Sequence, residues 1–221
     1  MSSFDGRQDG YIDGVRRNVP GLDGLHRMTW LLLAERVPVD GRVLVVGAGG
    51  GLELQALAEQ ECGWTFDGVD PSSDMLALAR RTASSNLERI NVHQGDISAA
   101  PDGPFDGAVC SLVFHHISPE DRRKALEGIR RRLRPDAPFI LAHVSIPSTE
   151  PERSIWIGRH VEFGATADMN TDRRASAKAG MRAKTFIRAP EQDLEDLRAA
   201  GFKESTQFFQ AMSFRGWVSY A

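Results

Sequence analysis

The segment Arg42-Val43-Leu44-Val45-Val46 runs without polar alternation straight into Gly47-Ala48-Gly49-Gly50-Gly51, and a helical pattern follows from Leu52 to Glu61. A strand with no polar alternation is covered on both faces, which requires helices on each side of a parallel sheet. Glycines at the end of such a strand let the backbone turn sharply and let a ligand approach without meeting a Cβ. The helix behind the turn offers amides that have no partner within the helix. This one junction commits the chain to an α/β architecture with a ligand-competent loop.

The rest of the chain repeats the alternation. Further strands are expected at Thr65 to Val69, Ile90 to Gln94, Phe105 to Ser111 and Phe139 to Ile146, with helices between them from about Ser73 to Ser85 and Ser118 to Leu133. Ser72 and Ser118-Pro119 are suitable helix starts, and Arg134-Pro135-Asp136 is a stop. A helix opening at Ala189-Pro190 and closing at Gly201 precedes two strands, Lys203 to Phe209 and Ala211 to Tyr220. These two are too close for a crossover and so form an antiparallel pair. Residues 1–38 read as two helices, Arg7 to Val19 and Leu22 to Val37, and residues 147–188 as a helical insertion after strand five. The expected fold is therefore α/β, with a seven-stranded mostly parallel sheet, helices on both faces and a C-terminal antiparallel hairpin. N-terminal helices and a helical lid complete one domain over residues 1–221.

Composition narrows the class. The chain of 221 residues suits one sizeable core, and 41% hydrophobic with 26% charged residues is the balance of a soluble globular protein. A net charge of −3 gives no overall attraction to nucleic acid or anionic membrane. No apolar run approaches the ~20 residues that span a bilayer, and the N-terminus does not read as an export signal, so a cytoplasmic location is expected. Cys62 and Cys110 are expected as buried free thiols, and no metal site is expected.

A nicotinamide fingerprint needs Gly-x-Gly-x-x-Gly, but Leu52 occupies the third glycine's place after Gly47 and Gly49. The motif Val43 to Gly51, followed by Gly68-Val69-Asp70-Pro71-Ser72, Gln94-Gly95-Asp96-Ile97 and Cys110-Ser111-Leu112, instead resembles the class I S-adenosylmethionine-dependent methyltransferases over roughly residues 40–221. The resemblance implies S-adenosylmethionine as cofactor. Gly47, Ala48, Gly49 and Gly51 would lie beneath its amino-acid part, and Asp70 with Pro71 would meet the ribose. Met75, Asp96 and Ile97 would meet the adenine, and Ser111 with Leu112 the methionine moiety. A carboxylate suits the ribose because it accepts at two oxygens. Asp70 and Asp96 also have plain structural readings, as a cap and as a turn residue.

One position departs from the pattern. Most of the family has an acid two residues before the first glycine, where this chain has Val45. Glu53, just inside the next helix, is a candidate replacement for contacting the cofactor's amino group, although a helix dipole alone would favour an acid there. Asn18-Val19-Pro20-Gly21 adds a weaker similarity to relatives of the enzymes that make carboxy-S-adenosylmethionine for tRNA modification. Their motif-one acid is absent here, so their reaction is not carried over.

Methyl transfer asks mainly for alignment, worth about 7–11 kcal/mol. His115 and His116, after strand four, are the candidate general bases, with a structural turn as the alternative. Tyr11, Trp30, Trp156, Phe163 and Met169 are candidate lining for an acceptor pocket beneath the lid. The lid is basic, with Arg173, Arg174, Lys178, Arg182, Lys184 and Arg188; this cluster is expected to be a solvated helix face, with attraction of an anionic acceptor or RNA phosphates as the alternative, and Arg130-Arg131-Arg132 is expected to be solvated. A small-molecule methyl acceptor is the favoured partner. RNA such as tRNA, and binding of the cofactor without catalysis, are the alternatives, and the oligomeric state is left open.

Overall fold

A computed structural model describes residues 10–221. The expected helix from Arg7 begins outside the described residues; within them α1 spans Tyr11–Asn18 and α2 spans Leu22–Ala34. Then follow β1 (Arg42–Val46), α3 (Leu52–Gln60), β2 (Thr65–Asp70), α4 (Ser73–Thr82), β3 (Ile90–Gln94), β4 (Gly107–Ser111), α5 (Pro119–Arg132) and β5 (Pro138–Val144). The lid is a helical pair, α6 (Glu152–Gly164) and α7 (Thr171–Lys184). The chain closes with α8 (Pro190–Ala199), β6 (Lys203–Ala211) and β7 (Phe214–Tyr220).

The strands form one seven-stranded sheet in the order β3-β2-β1-β4-β5-β7-β6. The first five pair in parallel and β7 runs antiparallel to both β5 and β6, as expected. The order reverses between β1 and β4, a topological switch point at which ligands of open α/β sheets bind.

Apolar strands work here because alternate residues enter different layers. Val43 and Val45 pack with Leu54, Leu57 and Phe66 on the α2–α3 side, while Leu44 and Val46 pack with Phe105, Leu126 and Phe139 on the α5–α8 side. Each such side chain, removed from water, contributes about 1.5–3 kcal/mol. Polar caps fix where helices begin. The Ser72 hydroxyl accepts the Met75 amide at 3.2 Å, and the Asn170 side chain accepts the Arg173 amide at 2.9 Å.

Two elements differ from expectation. The α4 pattern ends at Thr82 and a 3-10 turn covers Ser84–Arg89. Strand β4 is shorter than predicted because Phe105 makes only an isolated bridge to Leu133 before the sheet begins at Gly107. Cys110 is buried as expected, whereas Cys62 is exposed in the turn after α3; neither is in a disulfide.

Candidate functional site

The C-terminal ends of β1, β2 and β4, with the loop after β3, surround a cavity of about 380 Å³. Of the residues expected at the cofactor, all but Ala48 and Gly51 line it. Ala48 turns its methyl toward Gly68 of β2, inside the core. Gly51 starts α3 with φ of 75°, and a Cβ there would stand 2.7 Å from the Ala79 backbone, so its task is to let α3 and α4 close together.

Asp70 links the loop to the cavity. Its Oδ2 accepts the Gly49 amide at 3.0 Å and its Oδ1 accepts the Ser72 amide at 2.9 Å. A Cβ on Gly49 would stand 2.6 Å from Oδ2, so only glycine permits this approach. A carboxylate has about four lone-pair sites, so Asp70 can accept several hydrogen bonds at once. Asp96 caps the next turn, with Oδ1 accepting from the Ser98 amide at 2.8 Å and the Ser98 hydroxyl at 2.6 Å. Those hydrogen bonds hold its carboxyl below the usual range, so it lines the cavity as an anion. Leu112, another lining residue, has φ of 62°, an uncommon left-handed backbone of the kind that clusters at functional sites.

The Val45 departure has a physical basis. Val45 is 1% exposed and faces the α2–α3 core, and its neighbour Val46 lines the cavity instead. Glu53 supplies a carboxylate from the first turn of α3; it is buried, lines the cavity, and lies 3.6 Å from the His26 imidazole on α2. Tyr11, expected as apolar lining, reaches the same cavity from α1 with its ring against Gly50. Burial, then the charges of Glu53 and Asp70, push its phenol pKa upward, so Tyr11 is a neutral hydroxyl donor. Ile117, Asp121, Lys124 and Ala125 on and before α5 also line the cavity and were not foreseen. Their i, i+4 and i+3 spacing was visible, but not that the start of α5 faces the ligand side.

A second cavity, of about 750 Å³, lies between α1, α6, α7 and the 3-10 turn Phe114–His116. His116 lines both cavities and His115 lines the second. His115 is 8% exposed; burial, then the neighbouring His116 and His143, lower its pKa well below the usual imidazole value. It is therefore neutral near pH 7. The turn is held on two sides: the Phe186 amide donates to the His115 carbonyl at 2.8 Å, and Arg122 Nη1 donates to the Phe114 carbonyl at 2.8 Å. Arg122 is itself buried in an ion pair with Asp193, and His143 Nε2 lies 3.3 Å from the same carboxylate. Burial would raise the Asp193 pKa, but His143 and Arg122 outweigh it and hold the carboxyl below its usual range.

The basic runs are less free than expected. Arg132 is buried and donates to the carbonyls of Pro101, Gly128 and Ala100, because α5 presents it to the turn before β4. In the lid, Arg174 and Lys178 both pair with Glu162, and Arg188 pairs with Asp196. No described helix is long and apolar enough to cross a membrane.

Residues 43–136 match the methyltransferase domain family. The carboxy-S-adenosyl-L-methionine synthase of Chromohalobacter salexigens is 26% identical over 217 residues, covering 95% of this chain and 79% of that protein. Among solved structures, an O-methyltransferase family protein from Burkholderia thailandensis has a TM-score of 0.67 at 13% identity, over 98% of this chain and 60% of its own. Human N-acetylserotonin methyltransferase in complex with S-adenosylmethionine has a TM-score of 0.60 at 14% identity, over 100% of this chain. The chain spans 60% of the length of each of these two structures, and their likeness is one of fold. The sheet order and the switch-point cavity are those of a Rossmann-like α/β fold, and the methyltransferase-domain match covers its first four strands. The domain match and the end-to-end similarity to the Chromohalobacter protein support a class I S-adenosylmethionine-dependent methyltransferase with S-adenosylmethionine as cofactor.

Proposed function

We propose that the chain transfers a methyl group to a small-molecule acceptor seated in the second cavity. The observation that carries this reading is the sharing of His116 by the two cavities, which makes the β4 end the meeting point of cofactor and acceptor. When bound, S-adenosylmethionine supplies an activated methyl on a positively charged sulfur. The residues present suit that group: Asp70 offers acceptor oxygens for ribose hydroxyls, Asp96 an acceptor for the adenine amino group, and Gly47 and Gly49 a close backbone. Glu53, with the Tyr11 hydroxyl beside it, takes the place of the acid lost at Val45 and receives the cofactor's ammonium. Ser111 and Leu112 bracket the methionine moiety.

His115 and His116 orient the acceptor and take a proton from it where it carries one. The His115 imidazole, kept neutral by burial, can accept a hydrogen bond from the acceptor. The lid helices α6 and α7 exclude water from the meeting point. The free thiols at Cys62 and Cys110 suit a cytoplasmic location.

Calorimetric titration with S-adenosylmethionine and S-adenosylhomocysteine tests the reading of the first cavity. Binding of both is expected; binding of neither, with clear binding of NADH, overturns it. The end-to-end likeness to the Chromohalobacter enzyme favours a second reading, in which the cofactor is carboxylated. A markedly higher affinity for carboxy-S-adenosylmethionine than for S-adenosylmethionine in the same titration would select that reading.

A further inference from the structure

The two cavities that meet at His116 differ in charge. Glu53, Asp70, Asp96 and Asp121 line the cofactor cavity against Lys124. The second cavity is lined by Arg17 and Arg173 with three histidines, and no carboxylate among its described lining residues. Burial lowers the pKa of His115 and His160, so near neutral pH these two imidazoles add no formal charge to that of the two guanidiniums. A carboxylate close by shows what they can hold. Asp168 lies 3.7 Å from Arg173, and after its hydrogen bond to Thr166 the charges of Arg173 and then Arg17 hold its carboxyl low. Both guanidiniums thus act on one exposed carboxylate at the cavity's edge. The neighbouring lid cations Arg174 and Lys178 are turned to Glu162 and do not line the cavity.

We propose that the methyl acceptor is a small organic anion, its carboxylate or phosphate held by Arg17 and Arg173 and its nucleophilic atom toward His116. This rests on the reading of the second cavity as the acceptor site. Two guanidiniums at the rim hold the anionic group there and leave the nucleophilic atom to face the cofactor cavity. In the transfer, the acceptor's lone pair forms the new bond to the methyl carbon as the carbon–sulfur bond breaks. The sulfur keeps that bonding pair, and any acceptor proton passes to an imidazole or to water. The products are the methylated acceptor and S-adenosylhomocysteine.

The test uses the full chain saturated with S-adenosylhomocysteine, after calorimetry has established that this ligand binds. Failure of that binding would sink the cofactor reading, whereas the stabilisation measurements bear on the acceptor alone. Thermal stabilisation is measured with a set of matched small molecules of about 10–20 non-hydrogen atoms, each supplied as carboxylate, phosphate monoester and neutral amide. Stabilisation by carboxylates or phosphates but not by the amides is expected, and which of the two acts identifies the anion. In the double variant R17Q/R173Q the anion affinity should fall about 10–100-fold, the size of two charge-assisted contacts at a partly solvated rim, while S-adenosylhomocysteine still binds. Equal stabilisation by acids and amides, stabilisation by none of the acids, or protection by an RNA oligonucleotide alone would each overturn the proposal.

Discussion

Arg122 donates from Nη1 to the carbonyl oxygen of Phe114 across 2.8 Å while its other nitrogens hold Asp193 and Asp196. One buried guanidinium therefore ties α5 to α8 and to the turn that carries His115. Removing one member of such a buried pair leaves the other charge without compensation. Arg122→Met is expected to cost about 3–5 kcal/mol of stability, measured by denaturant unfolding. The double variant R122M/D193L should recover much of that loss, since replacing both charges with apolar groups is often near neutral. A single variant as stable as the parent would show that the pair is not holding the turn.

Asp70 joins two tasks that separate by substitution. Its oxygens hold the Gly49 and Ser72 amides and also face the cavity. Asp70→Asn keeps one carbonyl acceptor and should weaken S-adenosylhomocysteine less than Asp70→Ala. The alanine variant should lose about 1–3 kcal/mol of binding, roughly 5–150-fold, by calorimetry. Affinity of both variants equal to that of the parent would mean that ligand contact at this carboxylate contributes little.

Glycine turns that look alike in sequence act differently in the fold, and Gly51 shows it. A Cβ there would meet the Ala79 backbone at 2.7 Å, and its φ of 75° disfavours any other residue. Gly51→Ala should destabilise the fold by more than about 1 kcal/mol. Affinity for S-adenosylhomocysteine, measured well below the unfolding temperature, should change less than in Asp70→Ala, since Gly51 does not line the cavity. A variant that unfolds as the parent does but has lost the ligand would reverse that assignment.

The sheet and its switch point were legible because apolar strands, glycine turns and Ser or Pro helix starts are local signals. Asp70 and Asp96 were legible because the strand ends carrying them meet at one edge of the sheet. At Gly51 the spacing showed a ligand motif, whereas the helix packing against Ala79 was visible only in the tertiary structure. Arg132 was read as solvated because periodicity alone does not tell which carbonyls α5 will face. Asp193 and His143 lie far apart in sequence, so their pairing around Arg122 needed the tertiary structure. Tyr11 reaches the first cavity for the same reason: its place there depends on how α1 packs in the tertiary structure.

His115 gives the protein a pH dependence whose sign follows from burial. Its folded pKa is depressed well below 6.5, while in the unfolded chain it titrates near about 6.5. Below that value the unfolded chain takes up a proton that the native state does not, so this group's contribution is lost as pH falls. The slope from one such group is at most about 1.4 kcal/mol per pH unit. Carboxylates lose stability over part of the same range, so the informative quantity is the difference between the parent and His115→Gln. Unfolding free energy measured from pH 7 to pH 5 should fall more steeply in the parent. Parallel curves would mean that His115 takes up its proton in the folded state as readily as in the unfolded chain, so that burial does not keep it neutral.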